Sequence, residues 1–203
     1  MKAVYFGSFN PIHYGHIKQI NYLLMGDYEV ELIVSPHNPH KNINSLLPFD
    51  LRMSICDTAI NDIFGNLIPS RYTKININRI EDSLDKPNYT YLTLRKLTEL
   101  YGKKPAIVMG TDVINSLHTW KNSEEIMTYP IIHLHRSGYN LDHLITQKLN
   151  ILDSIDIKVN MSSSKVRESM ENGDIDFVRK NMTKNSFKLY NRYCNINKII
   201  DDE

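Results

Sequence analysis

The chain has 203 residues, 41% of them hydrophobic, and a formal net charge of +1 at pH 7. That is enough apolar material for a packed core, and so even a charge balance gives no electrostatic support to a nucleic-acid or membrane-surface role. No apolar run approaches the roughly 20 residues of a membrane helix, and Cys56 and Cys194 form no C-x-x-C motif. A reduced, cytoplasmic protein without a signal peptide is expected.

Taken in order, Ala3 to Phe6 is a short apolar run that reads as a buried strand. The stretch Gly7-Ser8-Phe9-Asn10-Pro11-Ile12-His13-Tyr14-Gly15-His16 follows, and then Ile17, Ile20, Leu23 and Leu24 form an apolar stripe on a helix. Strand, glycine-bearing turn and helix start together form a setting in which backbone N–H groups can face a phosphate. Gly7 permits a tight turn and Gly15 a close approach of ligand to backbone. His13 and His16, three residues apart, can share a face. The stretch reads as a phosphate site carrying two imidazoles and lacking the Walker lysine pattern.

Val30 to Val34 reads as a second strand, and Ser35 to Pro48 as a long loop of the kind that is often functional. Asp50 is expected to cap a helix running to about Phe64, with Leu51, Ile55 and Ala59 on one stripe and Gly65 as its stop. A strand is predicted over Tyr72 to Ile80, then a charged turn over Asp82 to Pro87, then a helix capped by Thr90 with Leu94, Leu97 and Tyr101 facing inward. Pro105 to Met109 reads as a strand ending in Gly110-Thr111-Asp112, with a short helix over residues 113–118 and a helical turn from Glu124 to Met127. Further strands are predicted at Ile131 to Leu134 and Ile155 to Val159, and helices at residues 164–172, 175–180 and 185–193. Alternating strands and helices predict an α/β domain with a parallel sheet covered on both faces and ligands beyond the carboxyl ends of its strands. One domain is expected over residues 1–203, with residues 162–203 as its helical C-terminal part.

Residues Gly7 to His16 resemble the G-x-F-x-P-x-H-x-G-H signature of the nucleotidylyltransferase superfamily, and specifically that of the nicotinate/nicotinamide mononucleotide adenylyltransferases. Asn38-Pro39-His40-Lys41, Asn88-Tyr89-Thr90, Gly110-Thr111-Asp112, Trp120, His135-Arg136-Ser137-Gly138-Tyr139 and Ser162-Ser163-Ser164-Lys165-Val166-Arg167 follow in the family's order, at about its spacing. The resemblance implies a Rossmann-like, doubly wound sheet and transfer of AMP from ATP to a pyridine mononucleotide, with release of pyrophosphate. It implies ATP contacts from Gly7, Ser8, Phe9, His13, Gly15, His16, Gly110, Asp112, Ser162, Ser163, Ser164 and Arg167. Mononucleotide contacts are implied for Asn10, Lys41, Thr90, Asp112, Trp120 and Arg136, and catalytic roles for His16, His13, Lys41 and Arg167.

The residues also have plainer readings. The serines at 162–164 form an ordinary N-cap, although the same geometry aims N–H groups at an anion, onto which Arg167 could fork. Asp112 reads as a helix cap, to which the resemblance adds a ribose contact. Trp120 reads as a core residue, which the family places against the pyridine ring. Asn10 stands where bacterial members commonly carry aspartate. His13/His16, His37/His40 and His133/His135 are close pairs, but no metal site is expected. Mg²⁺ is expected to arrive with the triphosphate. ATP and a pyridine mononucleotide are the expected partners, and a homo-oligomer remains open. Rival readings are an adenylyltransferase for another phosphorylated cofactor precursor, an aminoacyl-tRNA synthetase fragment and a non-catalytic nucleotide sensor.

Overall fold

Apolar residues at alternate strand positions build a sheet that is buried on both faces. The computed structural model of the chain describes residues 1–39, 42–65, 69–135, 138, 140–156 and 161–201, with backbone alone at 69 and 197–201. In it β1 (Lys2–Gly7) leads to α1 (Tyr14–Met25) and β2 (Glu29–Val34), then α2 (Phe49–Ile60), α3 (Pro69–Tyr72) and β3 (Ile75–Asn78). The second half runs α4 (Thr90–Tyr101), β4 (Ala106–Gly110), α5 (Thr111–Ser116), α6 (Ser123–Met127), β5 (Pro130–His135), α7 (His143–Thr146) and β6 (Asn150–Asp156). Three helices close it: α8 (Ser163–Glu171), α9 (Ile175–Asn181) and α10 (Lys184–Asp201).

The strand order is β3-β2-β1-β4-β5-β6, and every pairing is parallel. This is the expected doubly wound α/β sheet. Ala3, Leu32, Val108 and Ile132 point to one face and pack on α1, α2 and the C-terminal helices. Val4 and Ile33 point to the other face with Leu97 of α4, while Ile107 and Ile131 pack there on Leu94, Ile114 and Ile126. Each fully buried Leu or Ile contributes on the order of 2 kcal/mol, so the two faces outweigh any single helix cap. The chain moves outward from β1 through β2 to β3, then returns to β4 and moves the other way. The crevice beyond β1 and β4 is therefore the topological switch point.

Several boundaries depart from the sequence reading. The strand predicted over Tyr72 to Ile80 is only the four residues of β3, because α3 occupies its first position. Asp50 does not cap α2, whose N-cap is Pro48 with no side-chain bond; Asp50 lies in the first turn and pairs with Arg79 at 2.9 Å. Beyond Ile60 the helix continues as a π-turn, Asn61–Gly65, where a Cβ on Gly65 would meet Asn61 Oδ1 at 2.2 Å. Thr90 is the first residue of α4 rather than its cap, since Tyr89 holds the N-cap position in extended conformation. The last strand is Asn150–Asp156, an edge strand whose residues alternate between half-buried and exposed. Of the strand predicted there, residues 157–159 lie outside the described residues.

Candidate active site

The signature turn is bound to its surroundings on three sides. Phe9 takes a positive φ of 43°, and a Cβ at Gly7 would lie 2.8 Å from its ring, so glycine is required at that position. Asn10 is buried and its amide ties down the following loop: Nδ2 donates to the Ser45 carbonyl (2.9 Å) and Oδ1 accepts from Leu47 N–H (2.8 Å). From the far end of the chain, Ser163 Oγ donates to the Pro11 carbonyl (2.9 Å) and Arg167 Nη1 to the Asn10 carbonyl (2.6 Å). The start of α8 is thereby docked against the start of α1.

His13 and His16 do the work a serine and a glutamate do in a common capping box. His13 is the N-cap of α1 and its Nδ1 accepts from Gly15 N–H (3.1 Å); His16 Nδ1 accepts from His13 N–H (3.2 Å). Their rings lie 3.8 Å apart between centroids. Accepting at Nδ1 leaves the proton of each neutral ring on Nε2. Both rings line the cavity at the sheet's switch point. Burial pushes the His13 pKa down to about 4, and burial together with the neighbouring His13 holds His16 well below the usual histidine range. Near neutral pH the pair presents two uncharged N–H donors at a helix N-terminus. Tyr5 and Phe9 brace the second ring; the Phe9 and His16 centroids are 5.2 Å apart, edge to face. Burial and the Asp112 charge raise the Tyr5 phenol's pKa, and its hydroxyl donates to Gln19.

The cavity measures about 370 Å³ and runs from these rings across the carboxyl ends of β1 and β4. Asp112, in the first turn of α5, forms part of its wall; a Cβ on Gly110 would lie 2.9 Å from Asp112 Oδ1. The N-cap of α5 is Gly110, so Asp112 does not cap that helix. Thr111 is buried and hydrogen-bonds His133 Nε2 (3.0 Å), whose Nδ1 meets Ser154 Oγ (2.8 Å). Ser162 caps α8, accepting from Lys165 N–H (3.2 Å), and both Ser162 and Ser163 reach the cavity. At the other end stand Tyr89, Thr90 and Trp120.

Gly7, His13, His16, Thr90, Gly110, Asp112, Trp120, Ser162 and Ser163 thus meet around one space, as the sequence reading expected of them. Ser8, Phe9, Asn10, Gly15 and Arg167 stand behind its wall and shape it, and exposed Ser164 accepts from Arg167 Nη2 at 3.5 Å. His40, Lys41 and Arg136 lie outside the described residues. Among the cavity residues to which the sequence reading gives no role of their own are Lys121, Glu81 and Asn88. Lys121 follows Trp120 and sits 4.3 Å from the Tyr89 ring centroid. Glu81 is buried, accepts from Thr93 Oγ1 (2.8 Å), and has its pKa raised by burial against the pull of the Ser35 and Thr93 hydroxyls. Asn88 donates to the Glu81 carbonyl (2.7 Å) and accepts from His37 N–H (3.2 Å). Only the N-x-T spacing near Thr90 hinted at this corner. Asp112 is in the first turn of α5 and Glu81 in a 3-10 turn before α4, and among the described residues no three His, Cys, Asp or Glu side chains converge as metal ligands.

A Rossmann-like sheet with paired imidazoles at its switch point defines a nucleotidyl-transferring class of protein, and the chain belongs to the cytidylyltransferase-like family, whose model matches residues 4–169. Within that class, curated relatives carry the name "Probable nicotinate-nucleotide adenylyltransferase". It is 34% identical to the "Probable nicotinate-nucleotide adenylyltransferase" of Flavobacterium psychrophilum, over 84% of this chain and 86% of that one. It is likewise 34% identical to the protein of the same name from Porphyromonas gingivalis, over 85% of each. Among solved structures, the nicotinic acid mononucleotide adenylyltransferase of Plasmodium falciparum complexed with NaAD has the same fold, with a TM-score of 0.77 over 95% of both chains at 20% identity.

Proposed function

We propose that this chain transfers the adenylyl group of ATP to nicotinate mononucleotide, forming the dinucleotide and pyrophosphate in the biosynthesis of NAD. The observation that carries this reading is the His13/His16 pair, two N–H donors at the start of α1 facing a cavity that ends at Trp120. A phosphate oxygen of the mononucleotide attacks the α-phosphorus of ATP; a new P–O bond forms as the bond to the β-phosphate breaks, and pyrophosphate leaves. The nucleophile is already anionic, so no protein nucleophile or strong base is needed. Alignment and preorganised donors supply the acceleration.

His16 and His13 donate from Nε2 to oxygens of the transferring and leaving phosphates. The N-terminal N–H groups of α8 with Ser162 and Ser163 hold the triphosphate from the other side, assisted by Arg167 and by Lys41. Asp112 takes ribose hydroxyls, and Trp120 stacks on the pyridine ring, with Thr90 and Arg136 beside the mononucleotide. Mg²⁺ enters as part of the ATP complex, a reading supported by a wall that, among the described residues, carries only the carboxylates of Glu81 and Asp112. Lys121, next to Trp120 in the chain and with its ammonium over the Tyr89 ring on the cavity wall, favours the carboxylate of nicotinate over the amide of nicotinamide. Neither cysteine forms a disulfide and Cys56 lies deep in the core, which supports a reduced, cytoplasmic setting; no described helix is long and apolar enough to cross a membrane.

Parallel pyrophosphate-release assays with ATP and each mononucleotide test the reading. Turnover with nicotinate mononucleotide at the higher kcat/KM is expected; release with neither would defeat it.

A further inference from the structure

Arg52, in the first turn of α2, is 1% exposed, among the largest fully buried side chains of the molecule. Its guanidinium makes four hydrogen bonds, all to main-chain carbonyls. Nε donates to Leu47 O (2.9 Å), Nη1 to Ser8 O (2.7 Å) and Ser35 O (2.8 Å), and Nη2 to Pro36 O (3.3 Å). No carboxylate among the described residues pairs with it, and burial lowers its pKa, though an arginine remains charged throughout the working pH range. Burying a charge away from any carboxylate is costly, and here the cost is offset by four carbonyls that would lose this donor if the side chain were removed.

The four carbonyls belong to three segments, which are also tied pairwise by the Asn10 amide to Ser45 and Leu47 and by Ser35 N–H to the Gly7 carbonyl (3.0 Å). Arg52 alone among the described side chains bonds all three at once. Ser8 is in the signature turn ahead of His13, Ser35 and Pro36 begin the loop after β2, and Leu47 ends that loop. The residue after Pro36 carries the connection onward: His37 exchanges two hydrogen bonds with Asn88, N–H to Oδ1 (3.2 Å) and carbonyl to N–H (3.1 Å). Asn88 is followed directly by Tyr89 and Thr90 on the cavity wall. One planar side chain therefore fixes the phosphate turn against the loop that leads to the mononucleotide end.

We infer that Arg52 is the positioning residue that keeps the two substrate halves of the cavity in register, its unneutralised charge lying beneath the turn that faces the phosphates. This rests on the adenylyl-transfer reading. The four bonds leave from three nitrogens of one rigid plane, a spread that the three donors on a lysine's single nitrogen do not reproduce. Misplacing reacting groups by about 1 Å costs roughly 10²-fold in rate, which sets the size of the effect expected.

The experiment uses Arg52→Ala and Arg52→Lys in the full chain, with folding checked by circular dichroism and Tm before kinetics. Both folded variants are expected to lose kcat and to raise KM for ATP and for nicotinate mononucleotide together. Millimolar guanidinium is expected to restore turnover at least tenfold in Arg52→Ala, without moving its Tm or the wild-type rate. Wild-type kcat and KM in either folded variant, or a loss in folded Arg52→Ala that guanidinium does not restore, would overturn the inference. If Arg52→Ala does not fold, Arg52→Lys decides by its kcat alone. A wild-type chain that turns over neither mononucleotide speaks against the adenylyl-transfer reading instead. Arg52 is then judged by the ATP-induced rise in Tm, expected in the wild type and lost in Arg52→Lys, and overturned by an equal rise in both.

Discussion

Because the backbone occupies Nδ1 of both His13 and His16, each ring is fixed as an Nε2–H donor and its charge is suppressed by burial. Removing one such donor from a reacting phosphate costs roughly 3 kcal/mol, about 10²-fold in kcat. His16→Ala is expected to show that loss in steady-state assays while remaining folded. The pH dependence of stability follows from the same depression. His13 falls from an unfolded 6.5 to about 4 in the folded chain, so below pH 6.5 the unfolded state binds the extra proton. Stability is therefore fully present above pH 6.5 and falls as the pH drops through about 4, by on the order of 3 kcal/mol. Urea titrations at several pH values should show that slope, shallower in His13→Asn. At the other end of the cavity, Lys121→Gln should raise KM for nicotinate mononucleotide severalfold and leave KM for ATP unchanged.

At the scale of elements, the site depends on how α8 to α10 are anchored. Asp62, in the π-turn after α2, accepts from Thr183 Oγ1 (2.6 Å), Asn185 N–H (3.0 Å) and Asn185 Nδ2 (2.7 Å), and these bonds lower its pKa against the opposing effect of burial. The carboxylate thus caps the start of α10 from a distant part of the chain. Asp62→Ala is expected to lower stability by about 1 kcal/mol, the usual worth of a lost cap, measured by denaturant unfolding. Its KM for ATP should stay near wild type, since α8 keeps its own bonds to Pro11 and Asn10. Local sequence could not reveal this cap, because Asp62 and Asn185 are far apart along the chain.

For the whole molecule, a parallel sheet covered on both faces was legible in apolar runs such as Ala3/Val4 and Ile107/Val108 alternating with helices, and the first signature in its spacing. The strand order was not, since it depends on pairings between distant segments. The cap assignments at Asp50 and Thr90 failed because each helix starts earlier, with Pro48 and Tyr89 at the N-cap positions and no side-chain cap, while Asp50 pairs with the distant Arg79. Arg52 left a trace that went unread: it falls in phase with Ile55, Cys56, Ala59 and Ile60, all buried, so a cation occupied a core stripe. The resemblance implies a ligand contact for Asn10, and the structure adds a tie of its amide to Ser45 and Leu47 that spacing alone does not show. A cavity continuous from the imidazoles to Trp120 should grip the dinucleotide at both ends. Its saturating presence is expected to raise Tm more than ATP or the mononucleotide alone, a comparison made by thermal melting. The doubled role of the imidazoles has one last consequence. Whenever the opening coil of α1 frays, both donors leave the cavity with it, so the Gly15 amide proton becomes a natural reporter of catalytic readiness, and deuterium uptake there should slow when nucleotide is bound.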